Sequence, residues 1–136
     1  MTGGEPSLEQ FLAMMPFANT LGIQLRSATA EEVVGAMSWR EDLCTGAGVL
    51  HGGALMGFAD TLGAVCAFLN LPAGAGTATI SSSTNMLHPV RRGMVVGTAR
   101  PMHAGRSVIT VRTELRDEDH RLVAAVTQAQ AVLAGS

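Results

Sequence analysis

From Gly52 to Asn70 the chain contains no proline and is rich in Ala, Leu, Met and Phe, a composition that favours a helix. Wound at about 3.6 residues per turn, its apolar side chains cover nearly the whole circumference and not one stripe. Such a helix cannot lie on a surface; it must be enclosed on most sides. The apolar run from Leu50 to Leu71 is interrupted by Gly52, Gly53, Gly57, Asp60 and Gly63, so it reads poorly as a membrane span, which needs roughly 20 apolar residues. The expectation is a soluble protein with this helix in its core.

The enclosing layer is β-structure. Ser7 to Met15 reads as a short N-terminal helix, with Ser7 as cap and Glu9 in the first turn, stopping before Pro16. Leu21–Ala30 and Glu32–Arg40 alternate as a hairpin, although Gly35 weakens the second strand. Asp42 to Gly48 is a turn-rich loop into the long helix. Beyond the Gly- and Pro-rich segment 71–76 the period becomes two, with Thr77, Thr79, Ser81, Ser83 and Asn85 on one face and Ala78, Ile80, Thr84 and Met86 on the other. That strand runs to about His88. Gly93–His103, Ser107–Arg116 and Arg121–Leu133 follow as three more strands joined by tight turns. One helix can cover six strands only if they curl around it, which predicts an α+β fold: an antiparallel six-stranded sheet wrapped around one long helix, with a short N-terminal helix. At 136 residues the whole chain, 1–136, is expected to be one domain.

Only 15% of the residues are charged while 47% are hydrophobic, low charge for a soluble domain, which implies burial against further copies of the same chain. Nine Arg, no Lys and eleven acidic residues give a net charge of -2, without the basic excess that phosphate-backbone binding requires, so nucleic acid is excluded as a partner. Cys44 and Cys66 lack CxxC spacing and neighbouring ligands, which disfavours a disulfide framework or a structural metal. The N-terminus has no early basic cluster, so no export signal is expected and a cytoplasmic location follows by default.

Between Asp42 and Arg91 the only formally charged side chain is Asp60, in the middle of the long helix. An unpaired buried carboxylate loses several kcal/mol of hydration, so it persists where it is paired or used. Its helical neighbours at three and four residues, Met56, Gly57, Gly63 and Ala64, offer no cation. Either a strand supplies a hydrogen bond or the group serves chemistry. Ahead of it, Gly52 and Gly53 occupy the first helical turn, where backbone N–H groups lack helical partners. Without side chains they would admit a carbonyl oxygen to those donors and to the positive end of the helix dipole, as in an oxyanion hole; glycines at such a place also serve turn geometry alone.

The segment GAGVLHGGALMGFADTLG, followed by TATISSSTNMLHPVRRG, resembles the signature of the hotdog-fold acyl-CoA thioesterases, in the branch with the phenylacetate-pathway and 4-hydroxybenzoyl-CoA enzymes, and the order of elements agrees from about Phe17 to Leu133. The resemblance implies that Gly52 N–H polarises a thioester carbonyl and that Asp60 is general base or nucleophile. It further implies that Thr79 orients the water or the acid. His51 would hold the loop or contact the thioester region, or else simply cap the helix. Thr45 stands where many relatives carry an Asn; its hydroxyl cannot reproduce an amide's two-ended geometry. Gly53, Arg91, Arg92 and Arg106 are the candidate substrate-binding residues, the arginines for the phosphates of coenzyme A. No metal and no cofactor beyond coenzyme A in the substrate are implied. Because Gly52 and Asp60 are eight residues apart, roughly 12 Å along one helix, they cannot meet at one carbon, so the site is expected to be shared within a homodimer, with dimers pairing further into tetramers. Two other readings remain: a hotdog enoyl-CoA or acyl-carrier-protein dehydratase, which needs a His facing the site where His51 precedes the helix, and a non-catalytic acyl-CoA-binding module.

Overall fold

Ser7 caps the first helix, α1 (Leu8–Ala13), in a reciprocal box: its hydroxyl accepts from Gln10 N–H at 3.1 Å and its own N–H donates to Gln10 Oε1 at 2.7 Å. The computed structural model describes residues 5–135, so the part of the export-signal reading that rests on Met1–Gly4 lies outside the described residues. Pro16 ends α1 without leading directly to a strand. It is the first residue of a second short helix, α2 (Pro16–Leu21), a position where its missing N–H has no helical partner to lose. Gly22, at φ 75°, closes α2 in the left-handed conformation. The hairpin of β1 (Gln24–Ala28) and β2 (Val33–Ser38) follows, then the long helix α3 (Gly52–Phe68). The strands β3 (Gly76–Met86), β4 (Met94–Ala104), β5 (Val108–Arg116) and β6 (Leu122–Leu133) complete one antiparallel sheet in the order β1-β2-β4-β5-β6-β3. Among the described residues no helix is long and apolar enough to cross a membrane.

The long helix packs against β2, β3, β4, β5 and β6, and Phe58, Ala59, Leu62, Cys66 and Ala67 are fully buried there. The enclosure is not complete. One stripe of α3, from Gly53 and Met56 past the half-buried Asp60 and Ala64 to Phe68, stays uncovered beside the edge strand β3. The helix comes close to the sheet where two glycines face each other across β2 and β4, Gly35 against Gly97. A Cβ on Gly35 would lie 2.7 Å from Leu62 Cδ2, and one on Gly97 2.5 Å from Leu62 Cδ1 and 2.8 Å from Leu115 Cδ2. Gly35 weakens its strand, as the sequence indicates, because the helix needs that space.

Strict alternation does not hold along β3. A bulge between Thr79 and Ser81 shifts the register with β6, so Thr79 pairs with Gln130 while Ser82 pairs with Gln128 and Thr84 with Val126. The helix-facing set therefore changes from odd to even numbers at Ile80, and Thr84 and Met86 join the face of Thr77 and Thr79. The bulge sits at the level of Asp60, where it aims Thr79 at the helix.

Because Leu62 and Leu115 are fully buried and cannot swing aside, Gly97→Ala should destabilise the fold by about 1–3 kcal/mol in urea unfolding. An unchanged midpoint would mean that this close approach does not set the spacing of helix and sheet.

Candidate active site

The loop before α3 is fastened on several sides. Cys44 and Leu50 form an isolated antiparallel bridge, Trp39 Nε1–H donates to Gly48 O at 3.1 Å, and Leu50 N–H reaches Val90 O at 2.9 Å. His51 is the N-cap of α3, and its Nδ1 accepts from Gly53 N–H at 2.8 Å. Nδ1 is thus the acceptor of the cap, and the Gly53 donor is engaged. The Gly52 N–H has no acceptor among the described residues. It borders a cleft of about 330 Å³ whose walls include Leu55, Met86 and Pro89.

Eight residues past Gly52, a little over two helical turns, Asp60 is held from the sheet. Its Oδ1 accepts from Thr79 Oγ1–H at 2.8 Å and from Gln128 Nε2–H at 3.0 Å. Thr79 Oγ1 in turn accepts from Gln130 Nε2–H at 2.8 Å. The chain of donors runs one way, from Gln130 through Thr79 to the carboxylate, with Gln128 as a second donor. Oδ2 takes no hydrogen bond among the described residues and is the oxygen left for a reactant. Gln128 and Gln130 are fully buried, 1% and 0% exposed, and neither was anticipated from the sequence. The signal was there: period two along β6 puts Val126, Gln128, Gln130 and Val132 on one face, two amides in an otherwise apolar row.

Gln128 can lie flat against α3 only because residue 63 is glycine; a Cβ there would overlap the Gln128 carboxamide. Its Oε1 is buried without a partner, an arrangement that costs stability and that persists where the amide is needed for something else. Cys66, one turn beyond Leu62, is no competing nucleophile, because burial pushes its thiol up to about 11 and it stays protonated at neutral pH.

The remaining candidates lie apart. Thr45 is exposed in the loop, where its Oγ1 accepts from Ala47 N–H at 3.3 Å in a local turn. Arg91 and Arg92 lie in the turn between β3 and β4, at the Gly52 end of the molecule, with Arg92 paired to Glu118 at 3.3 Å. They line a second cavity, about 230 Å³, that shares Pro89 and Val90 with the Gly52 cleft. Arg106 is in the turn between β4 and β5, at the opposite end of the sheet, about 30 Å away along the eleven residues of β4. The three arginines of one chain do not form one patch.

A strongly curved antiparallel sheet around a single helix, with a hydrogen-bonded carboxylate on the uncovered stripe of that helix, defines the hotdog class of thioester-binding folds. Residues 47–124, more than half of the chain, match the model of the Thioesterase superfamily, and the chain belongs to that family. It is 40% identical over 76 residues to a protein of Vibrio cholerae that bears a provisional esterase name, covering 56% of this chain and 51% of that one. It is 36% identical over 76 residues to the proofreading thioesterase EntH of Klebsiella pneumoniae, covering 54% of each. The chain thus spans about half the length of these curated relatives. The crystal structure of a thioesterase from Haemophilus influenzae superposes with a TM-score of 0.89 at 26% identity, covering 96% of this chain and 93% of that one.

The Gly63 and Gln128 contact predicts a reversal of sign. Gly63→Ala should cost about 1–3 kcal/mol in the otherwise unaltered protein, through overlap with the amide. In a Gln128→Ala background the same change should stabilise by up to about 1 kcal/mol, the ordinary preference of a helix for Ala over Gly. Urea unfolding of the four proteins reads both numbers, and equal effects in the two backgrounds would refute the contact.

Proposed function

We propose that the protein is an acyl-CoA thioesterase that hydrolyses RCO-S-CoA to a carboxylic acid and coenzyme A. The observation that carries this reading is the Asp60 carboxylate, with one oxygen fixed by Thr79 and Gln128 and the other unengaged on the open stripe of α3. In the proposed reaction Asp60 Oδ2 takes a proton as water oxygen bonds to the thioester carbon. The carbonyl oxygen gains the negative charge and accepts from Gly52 N–H at the start of α3, where the helix dipole also favours it. Collapse breaks the C–S bond, and the departing thiolate takes the proton from Asp60. Coenzyme A supplies the leaving group, and the reaction calls for no metal or further cofactor. In this reading Arg91 and Arg92 meet the phosphates of coenzyme A at the Gly52 end, and Arg106 joins them only from a second chain. With His51 committed to the cap, the dehydratase reading lacks its base.

The same geometry supports a shared site. Gly52 and Asp60 of one α3 are about 12 Å apart along the axis, too far to act on one carbon. The uncovered stripe of α3 lies beside β3, an edge strand of eleven residues without a single charged side chain or proline, from Gly76 to Met86. Free edges are normally blunted by such residues, so an edge without them fits pairing with a second copy. A two-fold dimer would set α3 against its symmetry mate and bring Asp60 of each chain toward Gly52 of the other, with pairing of dimers as a further step. The resemblance of the segment GAGVLHGGALMGFADTLG supports a place in the phenylacetate-pathway and 4-hydroxybenzoyl-CoA branch of the family.

Asp60→Asn should lower kcat by at least about 10²-fold while the protein remains folded, measured as thiol release from a panel of acyl-CoAs. Near-normal turnover in that variant would end the catalytic assignment. Gly52→Pro and Asp60→Ala should each be nearly inactive as pure proteins, since proline at a helix start removes the donor without breaking the helix. Co-refolded in equal amounts they should regain about a quarter of the normal activity, because half of the dimers are mixed and each mixed dimer has one intact site. Mixed dimers that form and stay inactive would overturn the shared site.

A further inference from the structure

Two departures from what stability favours meet at one hydrogen bond. Gln128 lies in the row of β6 that faces α3, fully buried between Val126 and Gln130, where an apolar side chain would have no hydration to lose. Its carboxamide fits there only because residue 63, in the interior of α3, is glycine, which suits a helix interior least of all residues but proline. Its Oε1 is buried without a partner, which is a second cost. Both serve a single contact, from Gln128 Nε2–H to Asp60 Oδ1 at 3.0 Å. The amide atom at that contact is the nitrogen, because a carboxylate oxygen only accepts. Local rules are broken in this way where a side chain serves the site and not the fold.

Oδ1 thereby receives two donors, Gln128 Nε2–H and Thr79 O–H at 2.8 Å, while Gln130 Nε2–H holds Thr79 Oγ1 from behind at 2.8 Å. A proton on Oδ1 would have to displace one of those donors, whereas Oδ2 has none to lose among the described residues. Resting on the thioesterase reading, we infer that Gln128 is a positioning residue for the hydrolysis: it reserves Oδ1 for the donors of the sheet and so keeps the transferred proton on Oδ2. The proton's route shows why this matters. Water oxygen bonds to the thioester carbon as one water proton passes to Oδ2. When the C–S bond breaks, the thiolate takes that same proton and the carboxylate is restored. One oxygen must therefore face the water first and the sulfur afterwards. A proton lodged on Oδ1, turned into the sheet, is out of the thiolate's reach. Gln128 itself is buried beneath α3 and meets neither reactant, so it acts only through Asp60. It is a residue needed for turnover and not for binding.

The test uses Gln128→Met, whose apolar chain of similar length fills the slot over Gly63 without a donor, in the full chain and in an Asp60→Asn background. Thiol release from a panel of acyl-CoAs and urea unfolding are measured on all four proteins. Gln128→Met alone should lower kcat at least about tenfold, the loss expected for one hydrogen bond to a charged group, with KM unchanged within about threefold. Its urea midpoint should stay level or rise, since the unpartnered carbonyl is gone. On the residual activity of Asp60→Asn the same change should have no effect, because no carboxylate remains to be positioned. A normal kcat, a change confined to KM, a fall in kcat that follows a loss of stability, or an equal fall in both backgrounds would overturn the inference. If the unaltered chain hydrolyses none of the panel, the thioesterase reading fails and the infrared spectrum decides the role of Gln128. The Asp60 carboxylate band is isolated as the difference between each protein and its Asp60→Asn counterpart. A band that moves on Gln128→Met upholds the amide's hold on Oδ1, and an unmoved band refutes it. Should Gln128→Met not fold, Gln128→Leu removes the same donor and is read the same way.

Discussion

The sheet can wrap most of α3 but not all of it, and the placement of everything functional follows from that shortfall. Close approach along one side, made possible by the facing glycines 35 and 97, buries Phe58 and Leu62 completely and pulls the helix toward β2 and β4. On the far side the neighbouring strand is β3, an edge, with the short N-terminal helices α1 and α2 flanking it. The uncovered stripe holds the one charge of the helix, two small residues, Gly53 and Ala64, and two apolar side chains, Met56 and Phe68. A carboxylate placed on the packed side would lose its hydration without return; on the stripe it keeps one oxygen accessible while the sheet holds the other.

Holding that oxygen makes demands on distant parts of the sequence. Thr79 reaches Asp60 because a bulge at Ile80 realigns β3, and Gln130 fixes the direction of the Thr79 hydroxyl by donating to it. Gln128 reaches the same oxygen because α3 has no side chain at position 63. Four residues on three elements thus define one oxygen position, and the unpartnered Gln128 Oε1 marks where that arrangement conflicts with stability.

The elements themselves were legible in the sequence because period and turn chemistry are local properties, and each long strand appears within a few residues of where alternation puts it. The features that went unread depend on tertiary contact. Pro16 signals a stop and is equally suited to a helix start; only the chain beyond it, ending at Gly22, decides. A bulge leaves alternation intact on either side and shows only as a change of parity, which Ser81 and Ser83 obscure by being polar on both readings. Asp60 stood out because charge is rare in its neighbourhood, whereas Gln128 and Gln130 are neutral and their importance lies in where β6 is buried. Thr45 is a different case: its hydroxyl accepts from Ala47 N–H within its own loop, a local contact that sequence position does not show.

The segment that matches the family holds only part of the candidate site. Residues 47–124 match the superfamily, and they include Gly52, Asp60, Thr79 and the two arginines beside the Gly52 cleft. Phe11, Met14 and Met15 of the N-terminal helices fall before that segment, and Gln128 and Gln130, which hold Asp60 and Thr79, fall after it. A hydrolytic site needs the same carboxylate, donor and helix start whatever acyl group it serves, since the bond broken is the same. Selection among acyl groups needs only a wall of different shape on one side of the helix.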